Sequence, residues 1–232
     1  MTRVSGVHTS RDFDAELREL RAHLLAMGAR CERAVHESVS AFLDRDMGRA
    51  EAVLSLDERI DRDEMEIDEL ALRVLALRHP VADDLRFTTT ALKFVTDLER
   101  IGDEAVNVAE RVPEIALATL APPHPELDAM SRIAQSMLRE ALDAFVERDA
   151  ARAEAVLARD AEVDALYGAL LRRVFAWMRD HPEQIPVGQS VASVARYLER
   201  VADHATNLAE LVVFMVRGDD VRHRPRRRSE AP

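Results

Sequence analysis

Residues 97–110 read Asp-Leu-Glu-Arg-Ile-Gly-Asp-Glu-Ala-Val-Asn-Val-Ala-Glu, and residues 197–210 read Tyr-Leu-Glu-Arg-Val-Ala-Asp-His-Ala-Thr-Asn-Leu-Ala-Glu. From Leu98 and Leu198 onward, eight of thirteen positions are identical. In both copies apolar residues recur at steps of three and four, the spacing of one helix face. A second block repeats as well. Residues 45–61 match residues 148–164 at ten of seventeen positions, with Asp57 and Asp61 opposite Asp160 and Asp164. The chain is therefore a helical unit written twice.

The same periodicity extends outward. Phe13, Leu17, Leu20, Leu24, Met27, Cys31, Ala34 and Ala41 form a heptad-like stripe over residues 13–43. Further helices are expected over about 47–78 and 81–112, with His79-Pro80 between them, since proline disfavours helix in the residue before it. Pro113, Pro122, Pro123 and Pro125 mark a linker over 113–125. Three more helices follow at about 126–148, 150–180 and 186–216, with His181-Pro182 repeating the His-Pro punctuation. Short connections make sequential helices antiparallel. The expected architecture is all-α, two tandem three-helix bundles of six long antiparallel helices. The first bundle covers 11–112 and the second 126–217, with a flexible N-terminus at 1–10 and an Arg-rich flexible tail at 218–232.

Composition narrows the function. A net charge of −11 opposes broad nucleic-acid binding. The exception is the tail, where Arg222, Arg224, Arg226, Arg227 and Arg228 read as a solvated segment or as a weak dock for an anionic surface. Cys31 stands alone, so no internal disulfide forms, and its place in an apolar stripe makes it a core residue. No N-terminal apolar run resembles a signal peptide, and Leu211–Val216 is far shorter than a spanning helix. A soluble, cytoplasmic protein is expected.

The acids carry the chemistry. Glu99, Asp103, Asn107 and Glu110 line one face of the third helix, and Glu199, Asp203, Asn207 and Glu210 repeat that stripe on the sixth. Asp57, Asp61, Glu64 and Asp68 form a stripe on the second helix. On the fifth only Asp160 and Asp164 remain, with Tyr167 and Leu171 in place of the other acids. Like charges one turn apart repel. If the second and third helices of a unit face each other, acid pairs converge and need a compensating cation. Hard oxygen donors suit Mg, Mn, Ca or oxidised Fe, and admit Zn. Carboxylates one turn apart can also bridge adjacent ions.

On these motifs the chain resembles the PhoU family over nearly all of residues 11–217. The resemblance rests on the duplicated unit and on the paired stretches at 97–110 and 197–210. It implies two three-helix bundles that bind metal through Asp57, Asp61, Glu99 and Asp103 in the first unit and Asp160, Asp164, Glu199 and Asp203 in the second. Asn107, Glu110, Asn207 and Glu210 would be further ligands or supports. It also implies a non-enzymatic regulator that suppresses the phosphate-starvation response, the Pho regulon. Its partners would be the ATPase subunit of the phosphate ABC transporter (PstB) and a membrane sensor histidine kinase (PhoR). Homodimerisation and contact with the membrane only through partners are part of the same expectation.

Other chemistries lack their residues. No Glu lies three residues before any histidine, as diiron bundles require, and no His-Glu-x-x-His or phosphate-binding Gly-Lys loop exists. Two alternatives remain from the residues alone. One is a metal-buffering or metal-dependent hydrolytic bundle; the other is a structural coiled-coil assembly protein. His204 is turned about 100° from the Asp203 stripe and is expected at a surface or interface.

Overall fold

The computed structural model describes residues 11–219. The N-terminal ten residues and all but the first two residues of the Arg-rich tail lie outside the described residues. The first unit is α1 (Arg11–Asp44), α2 (Met47–Arg78) and α3 (Ala82–Ala109). A short α4 (Val112–Leu117) leads into the second unit: α5 (Pro125–Glu147), α6 (Ala150–Leu157), α7 (Asp160–Asp180) and α8 (Ile185–Arg217). Among the described residues there is no strand. Among the described residues, no helix is long and apolar enough to cross a membrane either.

The repeated Arg-Asp dipeptide makes the same corner in each unit. Arg45 and Arg148 adopt left-handed backbone, with φ of 58° and 55°, which ends the preceding helix. The following aspartate caps the next helix. Asp46 accepts from Arg49 N–H at 3.1 Å, and Asp149 accepts from Ala151 and Arg152 N–H at 2.9 and 3.1 Å.

Two segments differ from the sequence reading. The helix expected over 150–180 breaks at Ala158–Arg159. There Arg159 N–H bonds back to Val156 carbonyl, a tighter i−3 pattern, and its guanidinium reaches Ser136 and Glu140 of α5 at 2.8 Å. Within the 113–125 stretch, residues up to Leu117 are helical. Pro113 sits in the first turn of α4, where its missing N–H costs nothing, and Val112 and Ile115 are buried.

Each unit buries its apolar stripes in a bundle, and the bundles then share a core. α3 packs on α8 and α1 on α5. Phe145 of α5 lies with its ring centroid 4.7 Å from Phe94 and 5.7 Å from Phe87, both on α3. At the α1–α5 crossing, a Cβ on Gly28 would fall 2.5 Å from Leu142 Cδ2. Cys31 is fully buried, and its thiol reaches the Leu98 carbonyl at 3.2 Å. Burial and the nearby Asp63 and Asp57 charges push its pKa up, so it is no nucleophile.

Candidate functional site

α2 and α3 run side by side, and Gly102 sets how closely. A Cβ there would lie 3.1 Å from Ile60 Cδ1 and 3.3 Å from Asp57 Oδ1. The missing side chain lets Asp57 settle over α3, one residue from Asp103. The acids of the two helices feel one another. Burial, then the charges of Asp61, Asp103 and Glu58, push Asp57 up to about 6. Burial and Asp103 push Glu99 up, with Glu64 and Asp61 adding to it. Glu64 is raised by burial and by Asp68, Asp61 and Asp103, and Asp68 by burial. Arg100 answers part of this charge, 3.4 Å from Glu99 and 3.5 Å from Asp103.

The second unit has a sparser copy. Burial raises Glu199, and so do Asp203, Asp164 and Asp160, while Arg196 opposes them. Asp160 is buried in the first turn of α7, where the positive helix end favours its charge, and Thr206 hydroxyl lies 3.5 Å from its Oδ1. The donor set in both seams is carboxylate oxygen held from two helices, which fits a hard cation. Among the described residues, no three acids, histidines or cysteines are gathered into a ready-made cage. A bound ion would have to draw these side chains together across each seam.

The asparagines face elsewhere. α3 and α8 run antiparallel, and a polar network crosses between them. Asn207 amide donates to Asp97 Oδ1 at 3.1 Å, and His204 Nδ1 lies 2.9 Å from the same oxygen. Asn107 donates to Glu104 at 3.2 Å, and Arg200 pairs with Glu104 at 2.7 Å. His204 thus sits at the interface between the units. Arg200, which by sequence could have offset the acids of its own helix, instead serves Glu104 of the other unit. Glu110 pairs with the neighbouring Arg111 at 3.4 Å.

The PhoU domain model matches twice, over residues 24–112 and 127–212. The chain belongs to the PhoU family. It is 43% identical to the phosphate-specific transport system accessory protein PhoU homolog of Pseudomonas aeruginosa, covering 93% of this chain and 90% of that one. The Caulobacter vibrioides homolog is 38% identical, covering 92% and 94%. The crystal structure of Pseudomonas aeruginosa PhoU superposes with a TM-score of 0.86 at 42% identity, covering 89% of this chain and 100% of that one. That of the phosphate transport system regulatory protein PhoU from Streptococcus pneumoniae gives 0.84 at 31%, covering 90% and 99%.

In this PhoU-family chain the Asp97–Glu104–Arg200–His204 network escaped sequence reading. Its signal lay in where the copies differ: Asp97 against Tyr197, and Glu104 against His204. Glu104 is buried, with burial raising its pKa, while Asn107, Arg200 and His204 hold it down. Removing the cation strands that carboxylate. Arg200→Ala is expected to cost about 2 kcal/mol of unfolding free energy, read from urea titration at neutral pH, less than the ~3–5 of a fully enclosed pair because Arg200 is half exposed. Glu104→Gln in the same chain should restore most of it, since no charge is then left buried.

The acid seam also sets a pH dependence. Asp57 titrates near 6 folded against 3.8 ordinarily. Between those values the folded state holds a proton that the unfolded chain has released, so this contribution to stability falls as pH rises through the window. Glu16, held below its usual range by Arg78, acts in the opposite sense, and only once pH drops through its own lowered value. The chelator-treated protein should therefore melt at higher temperature at about pH 5 than at about pH 7.5. Asp57→Asn should flatten that difference. A melting temperature that rises towards pH 7.5 would contradict the seam geometry.

Proposed function

We propose that this protein is a non-enzymatic regulator of phosphate uptake. In this reading it restrains the phosphate-starvation response by linking a phosphate ABC transporter to a sensor histidine kinase. The observation that supports it most is the double PhoU match over both units, joined to relatives named as accessory proteins of phosphate-specific transport. The architecture suits an adaptor. Long helices offer rigid outer faces, and the shared aromatic core keeps the two units in one orientation.

Asp57, Asp61, Glu99 and Asp103, and their counterparts Asp160, Asp164, Glu199 and Asp203, would hold metal ions (Fe, Mn, Mg or Zn). A bound cation would neutralise each seam and cross-link its two helices. Glu64 and Asp68 extend the first set, which makes the first seam the stronger of the two. Homodimerisation and a cytoplasmic location belong to the same proposal.

The test is binding of the purified protein to the transporter ATPase subunit and to the cytoplasmic part of the sensor kinase, with and without chelator. Binding lost in chelator would make the seams part of the docking scaffold. Binding kept in chelator would support the adaptor and reduce metal to a stability role. Binding to neither partner would overturn the reading. A phosphomonoester assay with Mg, Mn, Fe and Zn in turn checks the non-enzymatic claim, and turnover lost in Asp57→Asn would refute it.

A further inference from the structure

The outer face of α2 carries a line of exposed apolar side chains. Met47, Leu54, Met65 and Leu72 are 52%, 46%, 63% and 58% exposed. At 100° per residue they fall within about 20° of one another, along about 37 Å of helix. At one end, Met47 and Leu54 border a groove of about 330 Å³ floored by Ala50, Ala109 and Pro113, with Glu51 and Glu110 at its rim. Acids flank the line on both sides: Glu51, Glu58 and Glu69 on one, Asp61 and Asp68 on the other. The nearby cations are Arg62, Arg73 and Arg111; Arg73 is tied to Glu69 at 2.9 Å and Arg111 to Glu110 at 3.4 Å, which leaves the acids in excess along the line.

The second unit acts as an internal control. The positions matching Met47 and Met65 are Ala150, which is buried, and Gly168. Those matching Glu58, Asp68 and Glu69 are Ala161, Leu171 and Arg172. The bundle therefore folds without Met47, Met65 and three of the five flanking acids, while Glu51 and Asp61 keep acid counterparts in Glu154 and Asp164. Only Leu157 and Phe175 keep the apolar character of Leu54 and Leu72 there.

We propose that the outer face of α2, from the Met47–Leu54 groove to Leu72, docks a basic amphipathic helix of a partner protein. Charge decides among occupants. A second copy would set acid borders against acid borders, which repel. An anionic lipid surface would meet the same carboxylates. The chain's own tail, residues 220–232, is basic but holds a single large apolar residue, Val221, and cannot fill the line. A helix with apolar residues every three to four positions and Lys or Arg beside them satisfies both features. The groove would take an apolar anchor, with its neighbouring cations against Glu51 and Glu110. This deepens the adaptor reading by giving it a docking face, and its test uses neither transporter nor kinase, so the two stand or fall separately.

The probe is a fluorescein-labelled peptide of about 18 residues, five helical turns, with leucines on one face and lysines elsewhere. Its control is the same composition scrambled to lose the apolar face. Anisotropy is read on the full-length protein in chelator. The amphipathic peptide should bind at least about tenfold tighter than the scrambled one. Met65→Gln with Leu72→Gln, both at exposed positions and leaving charge unchanged, should weaken it by about tenfold or more. Phe175→Gln on the second unit should leave it unchanged. Equal binding of the scrambled peptide, wild-type affinity in the α2 variant, or loss in Phe175→Gln would each overturn the proposal. So would a tenfold gain on replacing the five tail arginines by serine, which would assign the face to this chain's own C-terminus.

Discussion

Phe145→Ala is expected to cost about 3–5 kcal/mol and to lower the melting temperature by about 10 °C. The ring is fully buried on α5 of the second unit, yet its aromatic neighbours, Phe94 and Phe87, belong to α3 of the first. Truncation leaves a cavity walled by both bundles, and neither can collapse into it without moving the α1–α5 crossing. That crossing is already tight, because Gly28 leaves no room beside Leu142. The loss should therefore appear in one cooperative transition shared by both units. Circular dichroism and Trp177 fluorescence, followed through the same urea titration, check this. Trp177 lies on α7, away from the substitution, and should report the same shifted midpoint as the helix signal. A biphasic curve, with only one unit shifted, would show that the bundles fold independently and that the aromatic contact is incidental.

The extent to which the sequence announced this fold follows from what each signal measures. Apolar spacing reports burial along one helix, so the six long helices were legible from stripes such as Leu98, Ile101, Ala105 and Val108. The Arg-Asp corners were visible as a repeat, although their left-handed arginines were not. The break at Ala158–Arg159 carries no Gly or Pro; it arises from Arg159 reaching across to α5, a tertiary cause no local pattern holds. Pro113 counts by sequence toward the 113–125 linker, yet proline also begins helices, as it does in α4. Phe175 lies on a helix that buries Leu170 and Val174 and is itself 58% exposed, since periodicity cannot say which side of a two-sided helix is covered. The same limit hid the α3–α8 network. The acid stripes were legible on each helix, and their convergence followed once α2 and α3 were taken as neighbours. That Asn107 and Asn207 turn to the inter-unit face depends on how two bundles meet, which a single stripe does not encode.

Asp57→Asn combined with Glu99→Gln is expected to raise the melting temperature of the metal-free protein by a few degrees and to abolish stabilisation by added Mn²⁺ at the first seam. Both carboxyls have raised pKa values, from burial first and neighbouring acids next, so each destabilises the folded state when ionised. Amides of the same shape remove that repulsion without opening a cavity. They also remove two charged donors of the proposed site. In the wild type, Mn²⁺ at about 100 times its Kd would add about 2.7 kcal/mol of stability; the variant should lose the first seam's share. The second seam provides the contrast. Asp160 sits in the first turn of α7, where the helix end favours its charge, and it lies within reach of the Thr206 hydroxyl. Asp160→Asn should therefore lower the apo melting temperature, even though it too removes a proposed ligand. Opposite signs at equivalent positions would separate an acid kept for a cation from one that also supports the fold. Thermal melts in chelator and with Mn²⁺ decide the matter. An apo protein destabilised by Asp57→Asn and Glu99→Gln would make the first seam structural, and an unchanged Mn²⁺ response would place the ion elsewhere.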